Sequence, residues 1–141
     1  MSSKILAQGA EAIITLNDNQ ITKNRIKKSY RIKEIDDRLR KSRTKSEAKI
    51  MNKLQNIIPV PKIIKREFSD SKESELASDE KQEIIMDYID GKKLSENLEH
   101  LDYKEISKII AQTIANLHNQ DIIHGDLTTS NMIYVEKEKK V

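Results

Sequence analysis

The sequence predicts an α+β fold: a five-stranded sheet with one inserted helix, followed by the first part of a helical unit. Three observations carry this. Short apolar runs separated by turn residues open the chain, one stretch of helical period interrupts them, and beyond residue 94 the apolar spacing becomes helical. A turn after residue 88 divides the chain into a sheet lobe at 1–88 and the start of a helical lobe at 89–141.

Residues 4–8, 12–16 and 20–24 are the first runs, separated by Gly9-Ala10 and by Asn17-Asp18-Asn19, and they read as a three-stranded antiparallel meander. Thr44 to Leu54 reads as a helix, with Ala48, Ile50, Met51 and Leu54 on or near one side. Pro59-Val60-Pro61 forces extended backbone, and 62–68 is the fourth strand. The segment 69–82 is polar and without periodicity, which predicts a loop or a partly disordered stretch. Residues 83–88 (EIIMDY) read as a buried strand ended by Asp90-Gly91. A short helix over 94–101 and a long one over 103–119 follow, the latter with Ile106, Ile109, Ile110, Ile114 and Leu117 on one stripe. A loop and a hairpin around 132–141 complete the order.

Composition excludes several classes. The chain has 141 residues, no Cys and no Trp, with one Phe and four Tyr. A disulfide framework, a thiolate zinc site and an aromatic stacking platform for single strands are not expected. No apolar run approaches the ~18 residues that span a bilayer, and the first residues lack a long apolar region, so the expected location is the cytoplasm. Charge is uneven. Residues 23–45 carry eleven Lys/Arg against three acids, Glu34, Asp36 and Asp37, whereas the rest of the chain is net negative. Such a local excess suits phosphates, or it is a solvated charged face.

The richest chemical pattern is Ile123-His124-Gly125-Asp126-Leu127-Thr128-Thr129-Ser130-Asn131 after the long helix. It resembles the protein-kinase catalytic loop H-R-D-L-x-x-x-N. Asp126 would orient or accept the proton of an attacking hydroxyl, and Asn131, five residues on, would turn its amide oxygen to Mg²⁺. The plainer alternative is a polar turn. For His118 and His124, packing or hydrogen bonding fits better than metal ligation, since no acidic or thiol partner stands at ligand spacing. Lys23, on the third strand, is placed to reach nucleotide phosphates. Glu47 lies in line with Ile50, Met51 and Leu54 by the i, i+3, i+4, i+7 rule, and a carboxylate on an apolar stripe needs a cation. Lys23 is the natural partner. The competing reading makes Thr44-Lys45-Ser46-Glu47 a capping box. Gly9, in Gly9-Ala10-Glu11-Ala12, stands where a kinase would show G-x-G-x-x-G over the phosphates. Met86-Asp87-Tyr88-Ile89 resembles an interlobe hinge, in which the Asp87 carbonyl and the Ile89 N–H would meet adenine; otherwise it is a strand running into a turn.

Together these pieces are similar to the atypical Ser/Thr kinase family of the KEOPS (EKC) complex, the PRPK type. The resemblance rests on Gly9-Ala10-Glu11-Ala12, Lys23-x-Arg25-x-x-Lys28-x-Tyr30-Arg31, Leu39-Arg40-x-x-Arg43-Thr44-x-x-Glu47-Ala48 and 124–131, and it runs in order along nearly the whole chain. It implies a protein-kinase-like fold, ATP hydrolysis and phosphoryl transfer to Ser with Mg²⁺, and a Kae-type subunit and other KEOPS subunits as partners. It further implies a role in threonylcarbamoyl-adenosine modification of tRNA. By that resemblance the catalytic Asp falls on Asp126, the metal-binding Asn on Asn131, the nucleotide Lys on Lys23 and the helix Glu on Glu47. The basic stretch with Lys27, Lys28, Arg31, Arg40 and Arg43 falls where the family contacts partner or tRNA.

Gly125 replaces the usual Arg of H-R-D, so control through a phosphorylated activation loop is not expected. Thr128 stands where many Ser/Thr kinases have a Lys, which argues against efficient phosphorylation of free protein substrates. The D-F-G motif would follow Val141, so the sequence is expected to be a fragment that is inactive alone. Two other functions compete: a small-molecule phosphotransferase of the aminoglycoside-kinase sort, and a truncated, non-catalytic nucleotide- or RNA-binding module.

Overall fold

In the computed structural model, residues 4–67 and 82–141 are described, so the loop expected over 69–82 lies outside the described residues except at its last position. The chain divides into two compact units, Met1–Lys53 with Pro61–Tyr88, and Leu54–Val60 with Ile89–Val141.

The first unit is built on a sheet. Strands β1 (Lys4–Gln8), β2 (Ala12–Asn17) and β3 (Gln20–Arg25) form the meander, and β4 (Ile63–Glu67) and β5 (Glu83–Asp87) complete the order β1-β2-β3-β5-β4, with every neighbouring pair antiparallel. The β2–β3 hairpin closes on a two-residue loop in which Asp18 takes φ 54°, a left-handed conformation that Asp tolerates better than a branched residue. Period-two alternation then sorts the faces. Ile21 pairs across from Met86, and Lys23 across from Ile84. Ile84 and Met86 are buried with Ala48, and Ile21, Met51 and Ile63 pack around them. The residues on that face of β3 are Ile21, Lys23 and Arg25, so two cations emerge beside the core.

Helix α1 spans Lys33–Leu54, 22 residues. It corrects the expected start at Thr44: the helix begins three turns earlier. No Gly or Pro interrupts 33–54, Glu34 and Asp36 favour the positive end of the helix dipole, and Lys53 favours the negative end. Its inward stripe runs through Asp36, Thr44 and Ala48, all at most 1% exposed. Two of those three residues are polar, which hides the helix from a search for apolar period. Ile50, expected on the apolar side, is 52% exposed, and Ala48 takes the inward position. The amides of Ile57 and Ile58 close the helix on the Leu54 carbonyl, just before Pro59.

The second unit carries a short strand β6 (Lys92–Lys93), helix α2 (Leu94–Asn97) with a 3₁₀ turn over Leu98–His100, helix α3 (Tyr103–His118), a 3₁₀ turn over Thr129–Asn131 and strand β7 (Ile133–Tyr134). The single helix expected over 94–101 is thus an α-helical turn continued as 3₁₀. The expected terminal hairpin reduces to a Val135–Lys140 bridge, and Ile133–Tyr134 pairs instead with Lys92–Lys93. Gly91 is required there. A Cβ on it would stand 2.6 Å from Ile133 Cγ2 and 2.7 Å from the Tyr134 carbonyl oxygen. Asp102 caps α3 by accepting from the amides of Lys104 and Glu105. Leu94, Ile106 and Tyr134 form the buried centre, with Leu98, Ile109, Ile110 and Met132 against it. Among the described residues no helix is long and apolar enough to cross a membrane.

Candidate functional site

On the sheet unit, the Lys23 ammonium lies 2.6 Å from Glu47 Oε1. The other carboxylate oxygen, Oε2, accepts from Arg25 Nη2 at 2.5 Å. Both cations come from one face of β3, and Glu47 precedes the fully buried Ala48 on α1, so the packing of the helix onto the sheet sets the encounter. The three side chains are 28%, 14% and 23% exposed for Lys23, Arg25 and Glu47. The capping-box alternative for Glu47 is excluded by the same geometry. Thr44 is inside the helix, and its hydroxyl donates to the Arg40 carbonyl. Arg25 was not expected to share Glu47; alternation on the strand, two residues from Lys23, is the signal that would have found it.

The β1–β2 turn is tied to the same unit from several sides. Gly9 N–H donates to the Ala12 carbonyl, Ile26 N–H to the Glu11 carbonyl, and Lys28 Nζ to the Ala10 carbonyl. Arg43 Nη1 lies 3.0 Å from Glu11 Oε2, which draws that carboxylate toward α1. A Cβ on Gly9 would meet only the Ala12 carbonyl at 3.9 Å, so sterics alone do not demand Gly there.

The basic stretch is also threaded with acid contacts, unlike the unpaired stripe its composition suggests. Asp36 is 0% exposed and accepts from Arg40 Nε at 2.8 Å and from Arg31 Nη1 at 3.4 Å. Arg40 also reaches Asp37. Burial by itself would raise the Asp36 carboxyl pKa. The bond and charge of Arg40, a backbone hydrogen bond from Lys28 and the Arg31 bond outweigh it and hold the group below the ordinary value of 3.8. Lys28, Arg31 and Arg40 are therefore engaged within this unit, and Arg43 pairs with Glu11 at the surface, while Lys27 and Arg38 are exposed.

At the other end of the sheet, Asp87 is the last residue of β5. Its carboxylate accepts from the Lys62 amide, and Ile89 opens the second segment of the second unit.

In the second unit, α3 delivers the loop 122–131. Asp121 takes φ 54°, its amide bonds the His118 carbonyl, and the Ile122 amide bonds the Leu117 carbonyl. This is a Schellman stop with Asp in the left-handed position. Gly125 then takes φ +79°, a conformation that L side chains rarely adopt, so the position that is Arg in H-R-D is Gly here for a backbone reason. Asp126 N–H donates to His124 Nδ1 at 3.2 Å, giving His124 a hydrogen-bonding role. Asn131 Nδ2 donates to Asp126 Oδ2 at 2.9 Å and to the Asp126 carbonyl at 3.2 Å. This bridge fixes the carboxylate through one oxygen and leaves Oδ1 without a partner among the described residues. It also turns the Asn131 amide oxygen away from the Asp126 backbone. The far end of the loop is anchored where the Leu94 amide meets the Met132 carbonyl. Among the described residues no group of three or more His, Cys, Asp or Glu is placed to hold a metal.

A family model described as RIO domain matches residues 13–141. The chain is 39% identical over 147 residues to the KEOPS complex subunit Bud32 of Pyrococcus abyssi, covering 94% of this chain and 62% of that protein. It is 38% identical over 138 residues to a probable bifunctional tRNA threonylcarbamoyladenosine biosynthesis protein of Methanobrevibacter smithii, covering 94% of this chain and 23% of the relative. The chain thus spans less than two thirds of these curated relatives. Among solved structures, WbdD aligns with a TM-score of 0.68 at 14% identity, over 99% of this chain and 30% of that one, a likeness of fold.

Proposed function

The chain belongs to the RIO-domain family, with its kinase-like α+β fold, and from that premise we propose that it carries the nucleotide-binding and catalytic-loop parts of a KEOPS-type atypical Ser/Thr kinase and ATPase. In this reading the protein works with a Kae-type subunit and other KEOPS subunits in threonylcarbamoyl-adenosine modification of tRNA, in the cytoplasm. The observation that carries it is the Lys23–Glu47 ion pair at 2.6 Å between β3 and α1. A cation held at that place in a small sheet lobe serves the α- and β-phosphates of ATP. The names of the relatives, a KEOPS subunit and a threonylcarbamoyladenosine biosynthesis protein, support the pathway.

The loop 122–131 fits phosphoryl transfer. Asp126 is fixed through Oδ2 by Asn131, and Oδ1 is open to take or orient the proton of a hydroxyl or water. Asn131, with its amide nitrogen committed to Asp126, presents Oδ1 as a hard oxygen donor of the kind Mg²⁺ accepts. Mg²⁺ held there would neutralise phosphate charge. Gly9 and its neighbours form the turn that would cover the phosphates, and Asp87 with Ile89 would meet adenine through the backbone. Of the basic residues, exposed Lys27 and Arg38 are best placed to meet tRNA phosphates.

Asp126→Ala, made in the intact protein, abolishes ATP turnover and leaves nucleotide affinity within about twofold, because a base acts in the transition state. Turnover within a fewfold of wild type refutes the assignment.

A further inference from the structure

We infer that Arg25 is a positioning residue for phosphate binding at Lys23, an inference that rests on the nucleotide reading above and deepens it. Lys23 and Arg25 stand two apart on β3 and share one face. They divide one carboxylate, Lys23 taking Oε1 at 2.6 Å and Arg25 taking Oε2 at 2.5 Å. The division is unequal in depth. Arg25 is the inner cation, 14% exposed, and Lys23 the outer one, 28% exposed.

The two cations differ in kind. A guanidinium is a planar fork that fixes direction; an ammonium is a compact charge with three donors on a flexible stem. Glu47 spends one acceptor on Lys23, which leaves that ammonium two donors for a ligand. Were Lys23 the sole partner of Glu47, any turn of the ammonium toward phosphate would leave a largely buried carboxylate uncompensated. Arg25 removes that penalty. It holds Glu47 through the other oxygen, keeps Oε1 aimed at Lys23 and keeps the charge matched while Lys23 shares itself with phosphate. Arg25 Nε is buried without a partner among the described residues, so the contact with Glu47, and not full satisfaction of its own donors, accounts for where the guanidinium sits.

The test is a cycle of variants in the intact protein, with ATP as the titrant in calorimetry. Arg25→Met weakens ATP binding about tenfold, and Arg25→Lys recovers part of the loss. In a Lys23→Met background, Arg25→Met adds less than about twofold, because Arg25 acts through Lys23. A purely structural role predicts the opposite, an equal loss in both backgrounds. Should Arg25→Met fail to fold by circular dichroism, Arg25→Gln, which keeps one neutral donor toward Oε2, takes its place with the same thresholds. ATP affinity unchanged by the Arg25 variant, or an equal loss with and without Lys23, overturns the inference while leaving the nucleotide site standing. Affinity unchanged by Lys23→Met overturns the nucleotide reading and this inference together.

Discussion

Asp36→Asn is the substitution that most directly probes what holds α1 in place. The wild-type carboxylate is fully buried and bonded by Arg40, Arg31 and the Lys28 backbone. Removing one member of a buried pair costs about 3–5 kcal/mol. The amide keeps one acceptor oxygen, and Arg40 keeps its exposed partner Asp37, so the loss at neutral pH falls at the low end, about 3 kcal/mol. A chain of this size then loses about 10 °C in unfolding midpoint. The pH dependence follows from the depressed pKa. The stabilisation from Asp36 is present above the ordinary carboxyl value of 3.8 and is lost as pH falls through the lower folded-state value. Urea unfolding followed by circular dichroism from pH 7 toward pH 3 and below shows the gap between wild type and variant narrowing with acid. A difference under about 1 kcal/mol at pH 7, or one that does not shrink in acid, refutes the reasoning.

Gly91→Ala forces a methyl against Ile133 Cγ2 and the Tyr134 carbonyl and lowers stability by about 1–3 kcal/mol in thermal unfolding; a change below about 0.5 kcal/mol shows that β7 yields freely. Arg40→Glu places a third carboxylate beside Asp36 and Asp37, so it lowers the unfolding midpoint, which a thermal scan reads directly. Lys27→Glu with Arg38→Glu leaves that midpoint near wild type and flattens the salt dependence of tRNA binding by about 0.9 per lost duplex phosphate contact, measured by titration across a salt series. An unchanged slope excludes these two positions from the proposed tRNA surface.

Where a residue's role is set by neighbours in sequence, the chain declares it. The runs at 4–8, 12–16 and 20–24 alternate with turn residues, and the structure has strands there, because hairpin pairing is local. The stripe Ile106 to Leu117 reads as a helix for the same reason. Met51 and Leu54, one and two turns beyond Glu47, face inward, so a carboxylate on that side announces a cation partner, and the spacing of Asp126 and Asn131 announces a shared loop.

Tertiary packing decided the rest. The first three turns of α1 are invisible to hydrophobic period, since Asp36 occupies the inward position there and Ile35 is left exposed. Asp36 is tolerable there because Arg40 bonds it within the helix and Arg31 and Lys28, outside the helix, fold back onto it. The pairing of Lys92–Lys93 with Ile133–Tyr134 joins segments too short and too distant to carry a local signal. The sharing of Glu47 between Lys23 and Arg25 depends on the Lys23–Ile84 register and on Ala48 docking against Ile84. Local sequence sets which way a backbone prefers to run. Which charges find each other is settled only when burial makes an unpaired charge too costly to leave.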